Sequence, residues 1–400
     1  MRDQIQRLRV LMKEAAARVA TPPAPPAITG FERVETPAGP AWIREIRYDP
    51  GYRHGGRRIG DLGDICPNAL EFLVLDKCSG SAELLFLDTE TTGLGGAGTH
   101  VFLVGTARLV GAGLLLTQYF LPGPGQEAAL LYELRRRWLP SAWLVTYNGK
   151  AFDWPLLSDR FVMNAQVPPA IAGHLDLLYW SRRFFGRCLE NCSLTSLEQR
   201  VLETFRSGDI PGHLIPAAYF EYLRHKDVHA LQPVFQHNLH DILSLVALSC
   251  EFAAYVTGRQ RPPFPGPAEL GLARAYEERG LNELAGECYR RALEAGLSSH
   301  LEVWALRRLG FLEKRLGEVE QARAAFAAAV DASDHDPVAC TELAKYLEHH
   351  ARDYREAARV VLRALSGPAG RTEPWRTRLR HRLARLERKQ ERGASASSRP

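Results

Sequence analysis

Cysteine is scarce in this chain of 400 residues, and long apolar runs are missing. The seven cysteines are odd in number and scattered, which excludes a regular disulfide framework and favours reduced thiols. Cys188 and Cys192 in "CLENC" have a spacing that a zinc or iron–sulfur site could use, although cysteine is also a common buried residue. No apolar run approaches the roughly 18 residues of a spanning helix, and residues 1–20 are charged throughout, without the apolar stretch of a signal peptide. We therefore expect a cytoplasmic protein with no membrane association.

Excess positive charge is absent from most of the chain. The formal net charge is +5, yet residues 371–400 alone hold ten Lys or Arg against three Asp or Glu. The other 370 residues carry 41 basic and 43 acidic side chains and are therefore slightly acidic. A basic tail of this kind is either a nucleic-acid-binding arm or the solvated face of a helix.

Pro- and Gly-rich stretches divide the chain into segments. Three apolar runs with short turns between them, 83–88, 100–110 and 113–121, predict an antiparallel meander. A helix (125–139) and a fourth strand (142–149) follow, and the sequence is then mostly helical, so the predicted fold is α/β, with a mixed sheet flanked by helices, followed by an all-α region. The predicted segments are an N-terminal helix with a Pro-rich linker (1–29), a β-rich lead-in (30–81), the α/β domain (82–256), a linker (257–266), helical repeats (267–367) and a basic C-terminal helix and tail (368–400).

The sequence after residue 266 repeats itself with a period near 37 residues. Each copy has a small residue, then a large one, then Ala, and the first two copies begin at a Gly. The copies are Gly280, Ala285, Tyr289 and Ala292; Gly317, Ala322, Phe326 and Ala329; and Ala357, Val361 and Ala364. This pattern is typical of helix pairs of the tetratricopeptide type, with an ordinary helical domain as the alternative. Trp375, Leu379, Leu383 and Leu386 lie on one face of a final helix, which we expect to cap the stack.

Two carboxylates follow the first buried strand in "SAELLFLDTETTGLGG" (81–96). Side chains two apart on a strand point to the same face, so Asp88 and Glu90 share one face. Two like charges at such a position repel each other unless a cation lies between them, and hard divalent metals prefer carboxylate oxygens. The alternative is a solvated loop with two acidic residues.

Two later segments add acidic residues in comparable positions. "LVTYNGKAFDWPLL" (144–157) places Asp153 in the first turn of a helix, where a carboxylate suits the helix dipole. "QHNLHDILSLVAL" (236–248) is a helix on which His237 and Asp241, four residues apart, share a face, while His240 points elsewhere. An imidazole one turn from a carboxylate suits acid–base work beside a metal.

A third segment, "HLDLLYWSRRFF", combines an acidic residue with aromatic and basic ones. We expect Asp176 to cap the helix that follows it, with a place in the cleft as the alternative. Trp180, Arg182, Arg183 and Arg187 are either a stacking and phosphate-binding surface for a single strand or core packing with surface arginines.

Together these segments resemble the DEDD exonucleases of the ribonuclease-H-like superfamily. The resemblance is closest to the YprB-like branch, through "LDTETTGL", "YNGKAFDWPLL", "IPGHLIPAAYFEYLR" and "HNLHDILSL". It covers roughly residues 30–256 for the nuclease part and 266–366 for a tetratricopeptide array that is familiar in that branch. One departure concerns the His: in the family a catalytic His usually stands five residues before the last Asp, and here it stands four before, at the Tyr spacing.

The resemblance implies a two-metal hydrolysis of nucleic acid. Asp88, Glu90, Asp153 and Asp241 would bind two Mg²⁺ or Mn²⁺ ions, and His237, or alternatively His240, would serve as general base. Substrate contacts would come from Thr89, Leu94, Asn148 and Phe152. The expected activity is 3′→5′ exonuclease action on single-stranded or frayed DNA or RNA, with a protein partner bound by the repeats. The alternatives are an endonuclease of the same superfamily and a non-catalytic scaffold that binds nucleic acid.

Overall fold

The structure is a computed structural model, which describes residues 28, 30–74, 83–93, 95–96, 98–140, 142–333 and 335–397. The predicted N-terminal helix and most of its Pro-rich linker lie outside the described residues, as do Leu94 and Cys78.

A seven-stranded mixed sheet forms the centre of the N-terminal half. Its strands are β1 (Glu32–Thr36), β2 (Gly39–Tyr48), β5 (Leu84–Thr91), β6 (Val101–Val110), β7 (Gly113–Phe120), β8 (Trp143–Thr146) and β9 (Gly173–Asp176). A separate small hairpin pairs β3 (Arg53–His54) with β4 (Arg57–Arg58). The order in the large sheet is β1-β2-β7-β6-β5-β8-β9. Strands β5, β6 and β7 form the predicted antiparallel meander, while β8 and β9 lie parallel to β5.

Seven helices accompany the sheet in the described part of the N-terminal half. They are α1 (Pro67–Val74), α2 (Glu127–Arg137), α3 (Asp153–Met163), α4 (Leu177–Phe185), α5 (Leu194–Arg200), α6 (Ile215–His225) and α7 (Gln232–Val256). Helices α2, α3 and α6 pack with Leu85 and Leu87 on one face of the sheet. Helices α1, α4 and most of α7 pack with Phe86 on the other. The alternation along β5 therefore assigns Asp88 and Glu90 to the face that α7 covers.

Helix α7 is the longest described helix of this half and lies in its core. With the turn before it, Val228–Val256 is long and apolar enough to span a membrane by length and composition, but 89% of its most apolar window is buried inside the protein. The polar residues that interrupt its apolar positions include Asn238 and Asp241, which lie at the sheet.

Two parts of the sheet differ from the sequence-based expectation. The lead-in contributes β1 and β2 to the edge of the main sheet, where β2 pairs with β7, and then forms α1. Strand β9 was not predicted, because it has four residues, of which only Leu175 is buried, and gives no apolar run. It pairs in parallel with β8, so that Thr146 lies beside Asp176.

The C-terminal half is helical, as expected. Its helices are α8 (Pro267–Glu278), α9 (Asn282–Glu294), α10 (Ser299–Leu316), α11 (Val319–Ala332), α12 (Pro337–Tyr346), α13 (Tyr354–Ser366) and α14 (Trp375–Ser397). The repeated positions are the buried ones: Ala285, Tyr289 and Ala292 on α9 recur as Ala322, Phe326 and Ala329 on α11, and as Ala357, Val361 and Ala364 on α13. Gly280 and Gly317 lie at the turns between paired helices with φ of 72° and 83°, a backbone region that favours glycine. This arrangement is consistent with helical repeats.

The basic C-terminal helix packs on the repeats through its apolar face and through part of its charge. Leu379 and Leu386 are buried against α12 and α13. Among its basic residues, Arg382, Arg385 and Lys389 all bind the carboxylate of Glu348, at 3.1, 2.5 and 2.8 Å. These three side chains therefore hold the helix to the repeats, which neither interpretation of the basic tail included.

We predict that Glu348→Gln loosens the docking of α14. Removing one partner of a buried charge network leaves the other charges unpaired and costs about 3 kcal/mol. The expected result is a lower midpoint of urea unfolding for the C-terminal half. Glu373→Gln is the matched control, because Glu373 is exposed and pairs only with the neighbouring turn.

The same network predicts how the stability of the C-terminal half depends on pH. Burial raises the pKa of Glu348, but the hydrogen bonds from Lys389 and Arg385 outweigh it, so the pKa lies below its usual range. The stabilisation is therefore present above the unfolded-state pKa and is lost as pH falls through the lower folded-state value. Equal unfolding midpoints for wild type and Glu348→Gln would contradict this assignment.

Candidate active site

The first two carboxylates lie within β5, beneath α7. Asp88 pairs with Gly105 and Glu90 with Leu103 on β6, and an irregularity follows between Glu90 and Thr91. The strand continues to Thr91, so both carboxylates are held by sheet hydrogen bonds and not by a loop. Their backbone is thereby fixed before any ligand binds.

Asp88 is held by an amide on α7. The Nδ2 of Asn238 donates to Asp88 Oδ2 at 2.8 Å, and Gln118 Nε2 donates to Asn238 Oδ1 at 2.9 Å. Glycine is required opposite Asp88, because a Cβ at Gly105 would lie 2.3 Å from Asn238 Oδ1. The chain from Gln118 to Asp88 fixes the helix to the sheet at this point.

Asp153 comes from the opposite face of β5, at the first turn of α3. Thr89 Oγ1 donates to Asp153 Oδ1 at 2.5 Å, so the residue between Asp88 and Glu90 positions the third carboxylate. The turn before α3 is tight, with Asn148 at φ 65°. Asp176 accepts hydrogen bonds from the backbone N–H of Asn148 at 2.8 Å and of Lys150 at 3.2 Å, and also caps α4 through Leu178 N. The predicted capping role is thus accompanied by a second role in shaping the turn.

Asp241 and His237 lie one turn apart on α7 and share a face, as expected. His237 Nε2 lies 3.5 Å from Asp241 Oδ2, and His237 Nδ1 lies 2.8 Å from Asp209 Oδ1. Arg206 Nη1 also lies 3.3 Å from His237 Nδ1, so Asp209 and Arg206 both contact this nitrogen while Nε2 faces Asp241. His240 points away, with its ring centroid 6.1 Å from that of His54.

A buried cation, Arg206, binds beside these residues. Its guanidinium donates to Asp241 and to Glu198, and its Nη1 lies 3.1 Å from Asp209 Oδ2. Glu198 is 1% exposed and also accepts from Ser244 Oγ at 2.5 Å. Burial lowers the pKa of Arg206, but Asp241 and Glu198 outweigh it and the net shift is upward, so the guanidinium stays charged.

The carboxylates are electrostatically strained without a bound cation. Burial, Asp241 and Glu90 raise the pKa of Asp88 well above its usual range. Burial, Asp241 and Asp153 do the same to the pKa of Glu90. Burial raises the pKa of Asp153 to about 6, although the hydrogen bond from Thr89 opposes this. The charges of Asp241 and Asp153 therefore lie close enough to Asp88 and Glu90 to disfavour the charged form of both.

These residues fit a divalent cation. Among the described residues, single ligand atoms of Glu90, His237 and Asp241 lie within 4.8 Å of one another. Glu90 Oε1 is buried and has no hydrogen-bond partner, which is costly unless a ligand completes it. Asp88 and Asp153 lie outside this triplet, and Asn238 and Thr89 each donate to one of their oxygens.

The predicted substrate contacts lie around the same point. Phe152, directly before the start of α3, is 51% exposed. Asn148 is half-buried in the turn, and Thr89 uses its hydroxyl on Asp153. Leu94 lies outside the described residues.

The aromatic and basic residues on and near α4 have different surroundings. Trp180 is 1% exposed and donates from Nε1 to Leu73 O at 2.7 Å, so it packs in the core and is not a stacking surface. Arg183 pairs with Glu278 of α8, and Arg187 lies over the Trp304 ring of α10 at 5.8 Å, so both face the helical region. Arg182 and its exposed neighbour Tyr179 remain on the nuclease side.

Sequence reasoning missed four residues of this site, namely Asn238, Arg206, Asp209 and Glu198. Asn238 stands directly beside His237, and an amide amid the apolar positions of a core helix is a usable signal. Arg206 and Asp209 are in "FRSGDIPGH", a polar stretch that gives no sign of which helix it will contact. Their partner Glu198 is as ordinary in sequence as any surface acidic residue.

Comparison with known proteins agrees with this geometry. The model of a family described as the RNase_H superfamily matches residues 85–252, which include every acidic residue placed in the site. The uncharacterized protein YprB of Bacillus subtilis (strain 168) is 31% identical over 360 residues, covering 87% of this chain and 86% of that one. The similarity therefore extends through both the sheet and the helical region.

We predict that Mn²⁺ binding strengthens as pH rises. Protons held at Asp88, Glu90 and Asp153 must leave before the carboxylates bind a cation, so the metal competes with them. The pKa of about 6 for Asp153 places part of this competition near pH 6. Calorimetric titration at pH 6 and pH 8 should give at least about tenfold tighter binding at pH 8, with proton release. Glu90→Gln should bind weakly at both values, and pH-independent affinity of the wild type would refute the assignment.

Proposed function

Because this chain belongs to the RNase H superfamily, in the family that includes YprB, we propose that it is a metal-dependent 3′→5′ exonuclease on single-stranded or frayed nucleic acid. Superfamily membership indicates nuclease-type chemistry, and the finer assignment is ours. The observation that carries it is the buried, unpartnered Glu90 Oε1, which lies with Asp241 and His237 among four mutually repelling carboxylates.

The metal ligands in this proposal are Asp88, Glu90, Asp153 and Asp241, for two Mg²⁺ or Mn²⁺ ions. Bound divalent ions would supply Lewis-acid stabilisation of the phosphodiester and a lower pKa for the attacking water. The chain supplies the placement. Strand β5 fixes two ligands, the start of α3 fixes a third and α7 fixes the fourth, so little rearrangement is needed when the site is filled.

His237 is the proton acceptor of the proposal. Its Nε2 faces Asp241 and its Nδ1 lies 2.8 Å from Asp209 Oδ1, so we assign the proton of the neutral ring to Nδ1. Once Nε2 takes a proton from water, the Asp209 carboxylate stabilises the imidazolium. The His spacing that departs from the family pattern therefore has a structural counterpart, because Asp209 orients this particular ring.

The direction of cleavage rests on the order and type of the motifs, which resemble those of DEDD exonucleases. The exposed Phe152 and the turn at Asn148, with Thr89 and Leu94, would contact the terminal nucleotide. The helical region would bind a protein partner through its tetratricopeptide-like surface. Both assignments are part of the proposal.

The decisive assay is cleavage of 5′-labelled single-stranded DNA and RNA with Mn²⁺ or Mg²⁺. We expect a ladder that shortens from the 3′ end, is absent in EDTA and is lost in Asp88→Ala, because a missing ligand removes transition-state stabilisation. Glu373→Ala, an exposed acidic residue on the C-terminal side, is the matched control and should cleave like the wild type.

Two substrates separate the rival functions. A circular single strand has no 3′ end, so its cleavage would indicate an endonuclease instead. Metal-independent binding with no cleavage of any substrate would indicate a non-catalytic scaffold. Either result would overturn the exonuclease proposal.

We further predict that His237→Ala lowers kcat about 100-fold while calorimetric Mn²⁺ affinity changes little. Asp209→Asn should lower kcat less and shift the acidic limb of the pH–rate profile to lower pH, since the imidazolium loses the carboxylate that stabilises it. His240→Ala is the control and should keep near wild-type kcat, because its ring faces His54. If His237→Ala instead abolishes Mn²⁺ binding, His237 is a ligand and not the base.

A further inference from the structure

A cavity of about 440 Å³ lies beside the turn that delivers Asp153. Its polar lining comes from three elements: the turn after β8, the end of β9 and the exposed side of α4. The lining residues used below are Asn148, Lys150, His174, Asp176, Tyr179 and Arg182. Since Asn148 and Asp153 belong to one short turn, this cavity, here called the β9 pocket, adjoins the candidate active site.

The β9 pocket is positively charged in spite of its one carboxylate. Asp176 accepts from the backbone N–H groups of Asn148, Lys150 and Leu178, so its charge is met by peptide dipoles. Burial and the charge of Lys150 lower the pKa of His174 to about 4, and this histidine, at 2.8 Å from Thr146 Oγ1, is neutral. Lys150 and Arg182 are exposed, and neither forms an ion pair with any described carboxylate.

One wall of the pocket is an exposed aromatic ring on a rigid support. Tyr179 is 45% exposed and packs edge-on against Trp180, with centroids 5.2 Å apart at 88°. Trp180 in turn is fixed by its hydrogen bond to Leu73 O. The Tyr179 ring is thus held in place while a large part of it stays open to a ligand.

An aromatic platform with two unpaired cations matches one ligand class, a nucleotide unit with its base and its phosphate. A small anion would not contact the Tyr179 ring, and an apolar ligand would not pair with the two cations. The pocket also adjoins the site at which a strand would be cut.

We infer that the β9 pocket is a second subsite for single-stranded nucleic acid, in which a base stacks on Tyr179 and a phosphate lies between Lys150 and Arg182. It holds a nucleotide away from the cleaved bond and so retains the strand between turnovers. The inference rests on the proposed function for the identity of the ligand, but its test does not need cleavage.

The test is binding of fluorescein-labelled oligothymidylate and oligouridylate, measured by anisotropy in EDTA over a range of salt concentrations. Tyr179→Ala should weaken binding about tenfold, and Tyr179→Phe should restore it, because a phenyl ring still stacks. Lys150→Gln/Arg182→Gln should weaken binding and lower the slope of log affinity against log salt by roughly one, since one phosphate is no longer neutralised. The two oligonucleotides show which sugar the subsite accepts.

The control removes two positive charges far from the pocket. The control variant is Arg108→Gln/Arg135→Gln. Arg108 lies near the end of β6, where it pairs with Leu115 of β7, and Arg135 lies in the last turn of α2. This variant should bind nearly as the wild type does. Circular dichroism melting of every variant separates loss of binding from loss of folding.

The outcomes distinguish the subsite from the proposed function. Wild-type affinity in the Tyr179→Ala and the double variant, or an equal loss in the control, would overturn the subsite even if the enzyme cleaves. A specific loss of binding in a protein whose wild type cleaves nothing would support the subsite and overturn the exonuclease.

Discussion

The confinement of like charges between β5 and α7 is the constraint on which the site depends. Asp88 and Glu90 are fixed by the sheet register, and Asp241 is fixed by a helix that is buried along most of its length. None of them can move apart without breaking backbone hydrogen bonds or core packing. The repulsion is therefore relieved by protonation, by a cation, or by both, and this coupling links the fold directly to metal binding.

Arg206 neutralises part of this negative charge. Its guanidinium donates to Glu198, which also accepts from Ser244. The same guanidinium donates to Asp241 and Asp209. The arginine thus lowers the repulsion at Asp241 but does not reach Glu90 Oε1, which stays unpartnered. The guanidinium neutralises charge at Asp241, and Glu90 remains available to a small, highly charged ion. The result is a site that is folded in advance yet still favours cation binding.

The sequence predicts the parts of this arrangement that depend on local order. The meander, the shared face of Asp88 and Glu90, the helix start at Asp153 and the one-turn spacing of His237 and Asp241 all follow from strand and helix periodicity. Strand β9 did not follow, because a four-residue strand with one buried side chain has no periodic signal. The Arg206 network did not follow either, because an ion pair between residues 35 positions apart leaves no local pattern. For the same reason the sequence left Trp180 open between a stacking surface and core packing, and the structure buries it while the neighbouring Tyr179 is exposed. Periodicity on α4 does not reveal which aromatic ring faces α1.

The helical region is continuous with the core of the nuclease half. Tyr276 on α8 donates to Val256 O at 3.1 Å, and Arg279 lies 3.8 Å over the Phe72 ring of α1. A Cβ at Gly271 would lie 2.2 Å from Arg183 O, so α8 approaches α4 as closely as backbone allows. Helix α4 therefore has the β9 pocket on one side and the repeats on the other. A displacement of α8 would therefore reach Tyr179 and Arg182 through α4, and Asp241 through α7.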